Sequence, residues 1–175
     1  MITTASEILG FQDNFLEGTI PPNLYDLTKL SIISISNNTK VGGTISSQIR
    51  QLTELTRIEA ANTMVEGTIP DEIYHLPLFA DLVVSNAKMS GPLKEDVSLL
   101  NATMRLLILD FNSFTGALPT ALDVLTALEN LLLEGNEFTG TISDTVCRER
   151  GLGFMKLHRL TADCNIECSC NDSCN

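Results

Sequence analysis

Five cysteines, Cys147, Cys164, Cys168, Cys170 and Cys174, are gathered at one end of the chain and occur nowhere else. They are the residues best equipped for covalent or metal chemistry. With Asp163, three of them could ligate zinc, but zinc sites usually draw their thiolates from C-x-x-C pairs. Here the close spacing is the C-x-C of Cys168 and Cys170. Disulfides are the better reading, and they place the chain in an oxidising compartment.

Other reactive side chains are scattered. His75 lies in D-E-I-Y-H-L-P and His158 in K-L-H-R-L, neither beside a cysteine or serine in a nucleophile motif. The carboxylates are dispersed, and no glycine loop suited to phosphate is present. Without a nucleophile, base and orienting group within reach of one another, no catalytic role is expected, and no cofactor. Three N-x-S/T triplets begin at Asn37, Asn101 and Asn171, which fits a secreted chain with glycosylated surface positions.

The elements that must position all of this are repeats. Residues 128–142 read L-E-N-L-L-L-E-G-N-E-F-T-G-T-I. Counting Leu128 as position one, Leu131 and Leu133 fall at four and six, Asn136 at nine, Phe138 at eleven and Gly140 at thirteen. Leu131 and Leu133 share one face of an extended strand, with Leu132 and Glu134 on the other. The preceding unit places Leu107, Leu109, Asn112, Phe114, Gly116 and Leu118 at the same positions. The thirteenth-position glycines Gly18, Gly43, Gly67, Gly91, Gly116 and Gly140 are spaced 25, 24, 24, 25 and 24 residues apart. Position six runs Phe11, Ile35, Ala60, Val84, Leu109, Leu133, all expected to point inward. After each Gly-x-Ile, a stretch such as 119–125 has apolar residues three apart, which predicts a turn of 3₁₀ or α-helix.

A period in the twenties with L-x-x-L-x-L-x-x-N resembles the leucine-rich repeat. The segments Gly18–Pro21, Gly67–Pro70 and Gly116–Pro119 resemble the plant-type L-x-G-x-I-P subclass, familiar from receptor ectodomains and secreted inhibitors. The resemblance implies an α/β fold: a right-handed solenoid with a parallel concave β-sheet and short 3₁₀ or α turns on the convex side. Six repeats fill residues 1–146, and residues 147–175 form a cysteine-rich cap. Within the pattern, position nine carries Thr63 and Ala87 in repeats three and four, with Asn62 and Asn86 one place earlier. The asparagine ladder is therefore expected to break there.

Beyond residue 146 the period ends, but Lys156–Cys164 reads as a last strand with Leu157, Leu160 and Ala162 facing inward. Its L-T-A-D-C followed by C-x-C and a further Cys resembles the terminal caps of algal, especially diatom, leucine-rich repeat proteins. Cys147 to Cys164 is the preferred bridge, since it would tie the outer side of repeat six to this strand. Cys168 and Cys170 are too close to pair comfortably with each other; which of them joins Cys174 stays open, and the odd thiol points to a partner outside the chain.

The chain of 175 residues has a formal net charge of −11 and 43% hydrophobic residues. That charge disfavours nucleic acid and anionic membranes, and no apolar run is long enough for direct membrane insertion. The N-terminal residues show neither the basic nor the apolar region of a signal peptide. The first repeat follows no capping helix or cysteine pair, so its apolar side calls for a missing segment or a partner to cover it. The cysteines and sequons nonetheless place the chain outside the cell or on its surface, by way of the secretory pathway.

Recognition is the expected function. On the concave sheet, Val83, Leu106, Ile108 and Leu132 should form a contiguous exposed apolar cluster with Phe111, edged by Asp110, Glu134 and Asp163. An apolar patch with a charged rim suits a protein or peptide ligand, or a glycan. Two alternatives compete: a scaffold subunit of a larger assembly, and an ice-binding solenoid. The last would use the outward column Thr19, Thr44, Thr68, Pro92, Ala117, Thr141, in which Pro92 and Ala117 interrupt the threonines. Mass spectrometry under non-reducing conditions should find two intramolecular disulfides, one joining Cys147 to Cys164. Stoichiometric zinc with the thiols still reduced would overturn the extracellular placement.

Overall fold

In the computed structural model, the residues described are 7–143, 145–146, 157–163 and 166–168, with the side chains of 167 and 168 left aside. Apolar residues at positions four and six of each repeat can leave water only by stacking on the next copy, and they do. Seven strands, Glu7–Gly10, Leu30–Ser34, Arg57–Glu59, Asp81–Val83, Leu106–Ile108, Asn130–Leu132 and Arg159–Thr161, form one parallel sheet in chain order. The register stacks position four as a column: Leu9 on Ile33, Ile33 on Ile58, then Leu82, Leu107, Leu131 and Leu160. Leu107, Leu109, Leu131 and Leu133 are all buried, as the alternation requires. The last strand also behaves as expected, with Leu157, Leu160 and Ala162 buried.

Phe11 departs from its expected place. It is 48% exposed, because among the described residues the first rung has a neighbour on one side only.

The chain leaves this sheet through a turn that opens a second one. Glu17–Thr19, Lys40–Thr44, Met64–Gly67, Lys88–Gly91, Ser113–Ala117 and Glu137–Thr139 pair in parallel, again in chain order. Sequence reading anticipated turns here rather than a sheet. Its position-thirteen glycines Gly18, Gly43, Gly67, Gly91 and Gly116 have positive φ, and Gly91 is also a close approach: an added Cβ would lie 2.7 Å from Thr68 Cγ2. The threonine of one rung thus rests on the glycine of the next. The 3₁₀ segments fall where predicted, at Pro22–Asp26, Ser47–Gln51, Asp71–His75, Glu95–Leu100 and Thr120–Val124. Between the layers Phe79, Phe114 and Phe138 are fully buried, and the Phe114 and Phe138 rings stack with centroids 5.8 Å apart.

The turn itself is held by position nine. Asn112 Nδ2 donates to Val84 O at 2.7 Å and to Leu109 O at 2.9 Å, while its Oδ1 accepts from Met89 N at 3.0 Å. Asn136 and the fully buried Asn38 repeat the arrangement. Where the ladder breaks, Thr63 Oγ1 donates to Ala60 O at 2.7 Å and accepts from Val65 N at 3.3 Å. Ala87 has no such group, and Val84 O relies on Asn112 from the next rung.

Leu109→Ala should lower the unfolding free energy by roughly 2–5 kcal/mol in a denaturant titration, because it opens a cavity in a fully packed interior. Asn112→Ala should cost about 1–3 kcal/mol by stranding buried backbone groups on two rungs. A loss below about 0.5 kcal/mol for either would place that residue on the surface.

Candidate ligand-binding face

Positions three and five of each strand face away from the interior, and the strand register fixes which of them touch. Column three places Ile32, Arg57, Asp81, Leu106 and Asn130 on successive rungs. Column five places Ser34, Glu59, Val83, Ile108, Leu132 and Thr161 alongside it. Val83, Ile108 and Leu132 are therefore adjacent in fact, at about the 4.8 Å strand spacing. Leu106 lies beside them, and Val83, Leu106 and Ile108 are half-buried.

Leu132 corrects the sequence reading. It is only 7% exposed, although it lies outside the interior cluster. It stands between Ile108 and Thr161 on the flanking rungs, so it supports the patch without offering free surface.

The predicted acidic rim is also partly committed. Asp110 accepts from Ser85 Oγ at 2.6 Å. Asp163 accepts from Gly135 N at 2.8 Å and Asn136 N at 2.9 Å, so it caps the last turn rather than edging a site. Glu134 is half-buried; its backbone carbonyl accepts from Phe111 N at 2.8 Å, and its carboxylate has no bonded partner among the described residues. Phe111 is 56% exposed, in left-handed backbone with φ 54°, which is rare for a bulky side chain.

Sequence reasoning missed a charged cluster on the same face. Asp81, buried at 2% exposure, receives two guanidinium groups. Arg57 Nη2 lies 2.7 Å and Arg105 Nη2 3.0 Å from Asp81 Oδ2. Arg57 also pairs with Glu59 at 3.1 Å, and Glu59 accepts from Ser34 Oγ at 2.8 Å. The hydrogen bond and charge of Asp81 raise the pKa of Arg105 above its ordinary value. The sequence signal was available: Arg57 and Asp81 occupy position three of neighbouring repeats, one rung apart. The face thus has a polar half around Glu59 and Asp81, and an apolar half around Val83, Leu106 and Ile108.

Other candidates fall elsewhere. His75 Nδ1 lies 3.1 Å from Asp71 O within its own 3₁₀ turn, and His158 is exposed at the start of the last strand. Burial pushes the Tyr74 phenol up to about 12, which marks a packed residue rather than a proton carrier near neutrality. Asn37 and Asn101 are exposed. Cys147, Cys164, Cys170, Cys174 and Asn171 lie outside the described residues, as does the Cys168 side chain, and with them the proposed disulfides. Thr19, Thr44, Thr68, Pro92, Ala117 and Thr141 are all exposed, so the interrupted threonine column does face outward. At the first rung an apolar hollow of about 400 Å³ is lined by Leu9, Phe11, Leu16, Ile20, Leu24 and Ile33 among others, and Phe15 nearby is fully exposed.

No protein-family model matches the sequence, and no curated protein does. Solved structures do match. The Arabidopsis receptor kinase HAESA, in complex with the peptide hormone IDA and the co-receptor SERK1, aligns with a TM-score of 0.81 at 22% identity, over 93% of this chain and 26% of that one. A TDR receptor aligns with a TM-score of 0.79 at 28% identity, over 93% and 27%. A plant ice-binding protein aligns with a TM-score of 0.75 at 23% identity, over 91% and 49%. The chain spans about a quarter of the length of the two receptors. It folds as a leucine-rich repeat solenoid of the kind found in plant receptor ectodomains.

Asp81→Ala should cost about 1–3 kcal/mol in thermal or denaturant unfolding, since it leaves two guanidinium groups without their shared acceptor. Lys94→Ala breaks the exposed Lys94–Asp71 pair at 2.6 Å and should change stability by less than about 0.5 kcal/mol. Equal losses would mean that the Asp81 cluster is no more than surface charge.

Proposed function

We propose that this chain is an extracellular recognition module, the ectodomain part of a receptor-like protein or a secreted binder, and that a protein or peptide ligand docks on the outward face of the seven-stranded sheet. Residues 1–146 are its repeats and 147–175 its cysteine-rich cap. The observation that carries the reading is the junction on that face. Half-buried Val83, Leu106 and Ile108 abut a pre-paired Arg57–Asp81–Arg105 cluster. A ligand would bury apolar side chains on the first and fix its orientation on the second. Glu134, Asp110 and the exposed Phe111 border the patch, with Leu132 beneath it. The peptide hormone in the HAESA complex supports the choice of ligand class.

A second reading has its own observation. The apolar hollow at the first rung is a surface that a scaffold subunit would bury permanently in a larger assembly.

Ile108→Arg separates these readings. Ile108 lies between inward Leu107 and Leu109, so its side chain points away from the interior and a charge there should change stability by less than about 0.5 kcal/mol. At an interface centre the same charge is desolvated without a partner, so capture of an extracellular partner should weaken by on the order of a hundredfold or more. Normal capture by a folded variant would sink the recognition reading and favour the scaffold. Exchanging Thr44 and Thr68 for tyrosine should leave capture intact; thermal hysteresis lost on that exchange would instead make the threonine column an ice-binding surface.

A further inference from the structure

The residue after each strand's outward position seven is held in left-handed backbone: Asp13 (φ 58°), Asn37 (60°), Asn62 (54°), Asn86 (50°), Phe111 (54°) and Gly135 (70°). Asparagine, aspartate and glycine adopt this conformation readily. The first four side chains do more than tolerate it. Asn37 Nδ2 donates to Asp13 Oδ1 at 2.7 Å, Asn62 Nδ2 to Asn37 Oδ1 at 2.7 Å, and Asn86 Nδ2 to Asn62 Oδ1 at 2.8 Å. The result is an exposed chain of amides running along the solenoid axis.

A primary amide has two N–H donors and two acceptor sites. Each link in the chain uses one of each. Asn37 and Asn62 therefore keep one donor and one acceptor, while Asn86 keeps a donor and its whole carbonyl. Beside them lies a groove of about 470 Å³, lined by Asn37, Thr39, Asn62, Asn86, Lys88 and two further residues. On the next rung the series is broken by Phe111, whose ring lies over Gly135; a Cβ added to Gly135 would sit 2.6 Å from Phe111 Cδ1. An asparagine at 111 would continue the amide chain without the strain that a bulky residue incurs there. The site instead presents an aromatic plate one rung beyond the last amide.

We propose that this ledge binds a neutral, linear oligosaccharide lying along the solenoid axis. Its hydroxyls pair with the amides of Asn37, Asn62 and Asn86, and the C–H face of one sugar stacks on Phe111. The chemistry selects this class. A hydroxyl both donates and accepts, so it meets the donor-plus-acceptor pair that each rung offers. An extended peptide laid along the axis repeats its like groups about every 6.7 Å, against rungs about 4.8 Å apart, and loses register after two. Asp13 at the head of the chain and the overall charge of −11 disfavour an anionic ligand. This inference concerns the edge of the sheet and does not rest on the ligand proposed for its face.

The test uses the full chain made in bacteria, because a glycan attached at Asn37 would occupy the ledge. Calorimetric titration with cellohexaose, laminarihexaose and mannohexaose should show saturable binding of at least one. Asn62→Gly keeps the left-handed backbone but removes the central amide, and should weaken that binding about tenfold or more. Phe111→Asn should weaken it about tenfold while raising the melting temperature, since it removes both the ring and the strain. Absence of binding by the natural chain to all three, or undiminished binding by folded Phe111→Asn, would overturn the proposal. Ile108→Arg should leave oligosaccharide binding unchanged, so failure of the peptide-ligand reading and failure of this one are read separately.

Discussion

The structure depends on a handful of buried amides. A chain that turns out of one sheet and into another every two dozen residues must leave backbone groups pointing into a dry interior at each turn. An unsatisfied group there costs about 1–3 kcal/mol. One asparagine serves several of them: Asn112 joins Val84 O and Met89 N of the preceding rung to Leu109 O of its own. Because the amide spans two rungs, it also fixes their spacing and register. The leucine columns stack because the turns do. Where asparagine is absent the repair is local: Thr63 satisfies its own turn, and Val84 O, above Ala87, is served by Asn112 alone. The Thr63 hydroxyl bonds only within its own rung, whereas the Asn112 amide ties one rung to the next.

That division of labour explains why the outward faces are free to vary. The interior carries the energy, with Leu107, Leu109, Leu131 and Leu133 all essentially inaccessible to solvent. Column three can therefore run from Ile32 through Arg57 and Asp81 to Leu106 without disturbing the fold. The buried Asp81 carboxylate holds the Arg57–Asp81–Arg105 cluster together, while both arginines keep part of their surface in water. Its effect is to hold two long side chains still beside an apolar patch, which lowers the ordering cost of binding.

The repeat spacing, the 3₁₀ segments and the last strand were legible in the sequence because each rests on a local rule repeated many times. Leu157, Leu160 and Ala162 could be placed because they fall at positions one, four and six of the repeat. What escaped depends on neighbours rather than on the residue itself. Leu132 has the same outward position as Ile108, and only the flanking rungs decide that it is covered. Asn62 and Asn86 looked like displaced members of the interior ladder; they belong to a second column whose signature is left-handed backbone. The signal was present in Asp13, Asn37, Asn62 and Asn86 at matching spacing, but it was read against position nine instead of position eight. The second sheet was missed because its strands are short and carry glycine, which ordinarily argues against a strand.

Asp110 and Phe111, at positions seven and eight, adjoin in the chain but are held in different ways. Asp110 anchors to Ser85, whereas Phe111, the next residue, is held strained over Gly135. Since Phe111 N donates to Glu134 O at 2.8 Å, backbone bonding along the rungs keeps the strained residue in place without help from its side chain. The strain is therefore borne by the scaffold, and the ring is left free to contact something else. A solenoid is well suited to this. Each rung is secured by its neighbours, so a single unfavourable backbone conformation can be carried at the point of contact while the rungs on either side remain in register.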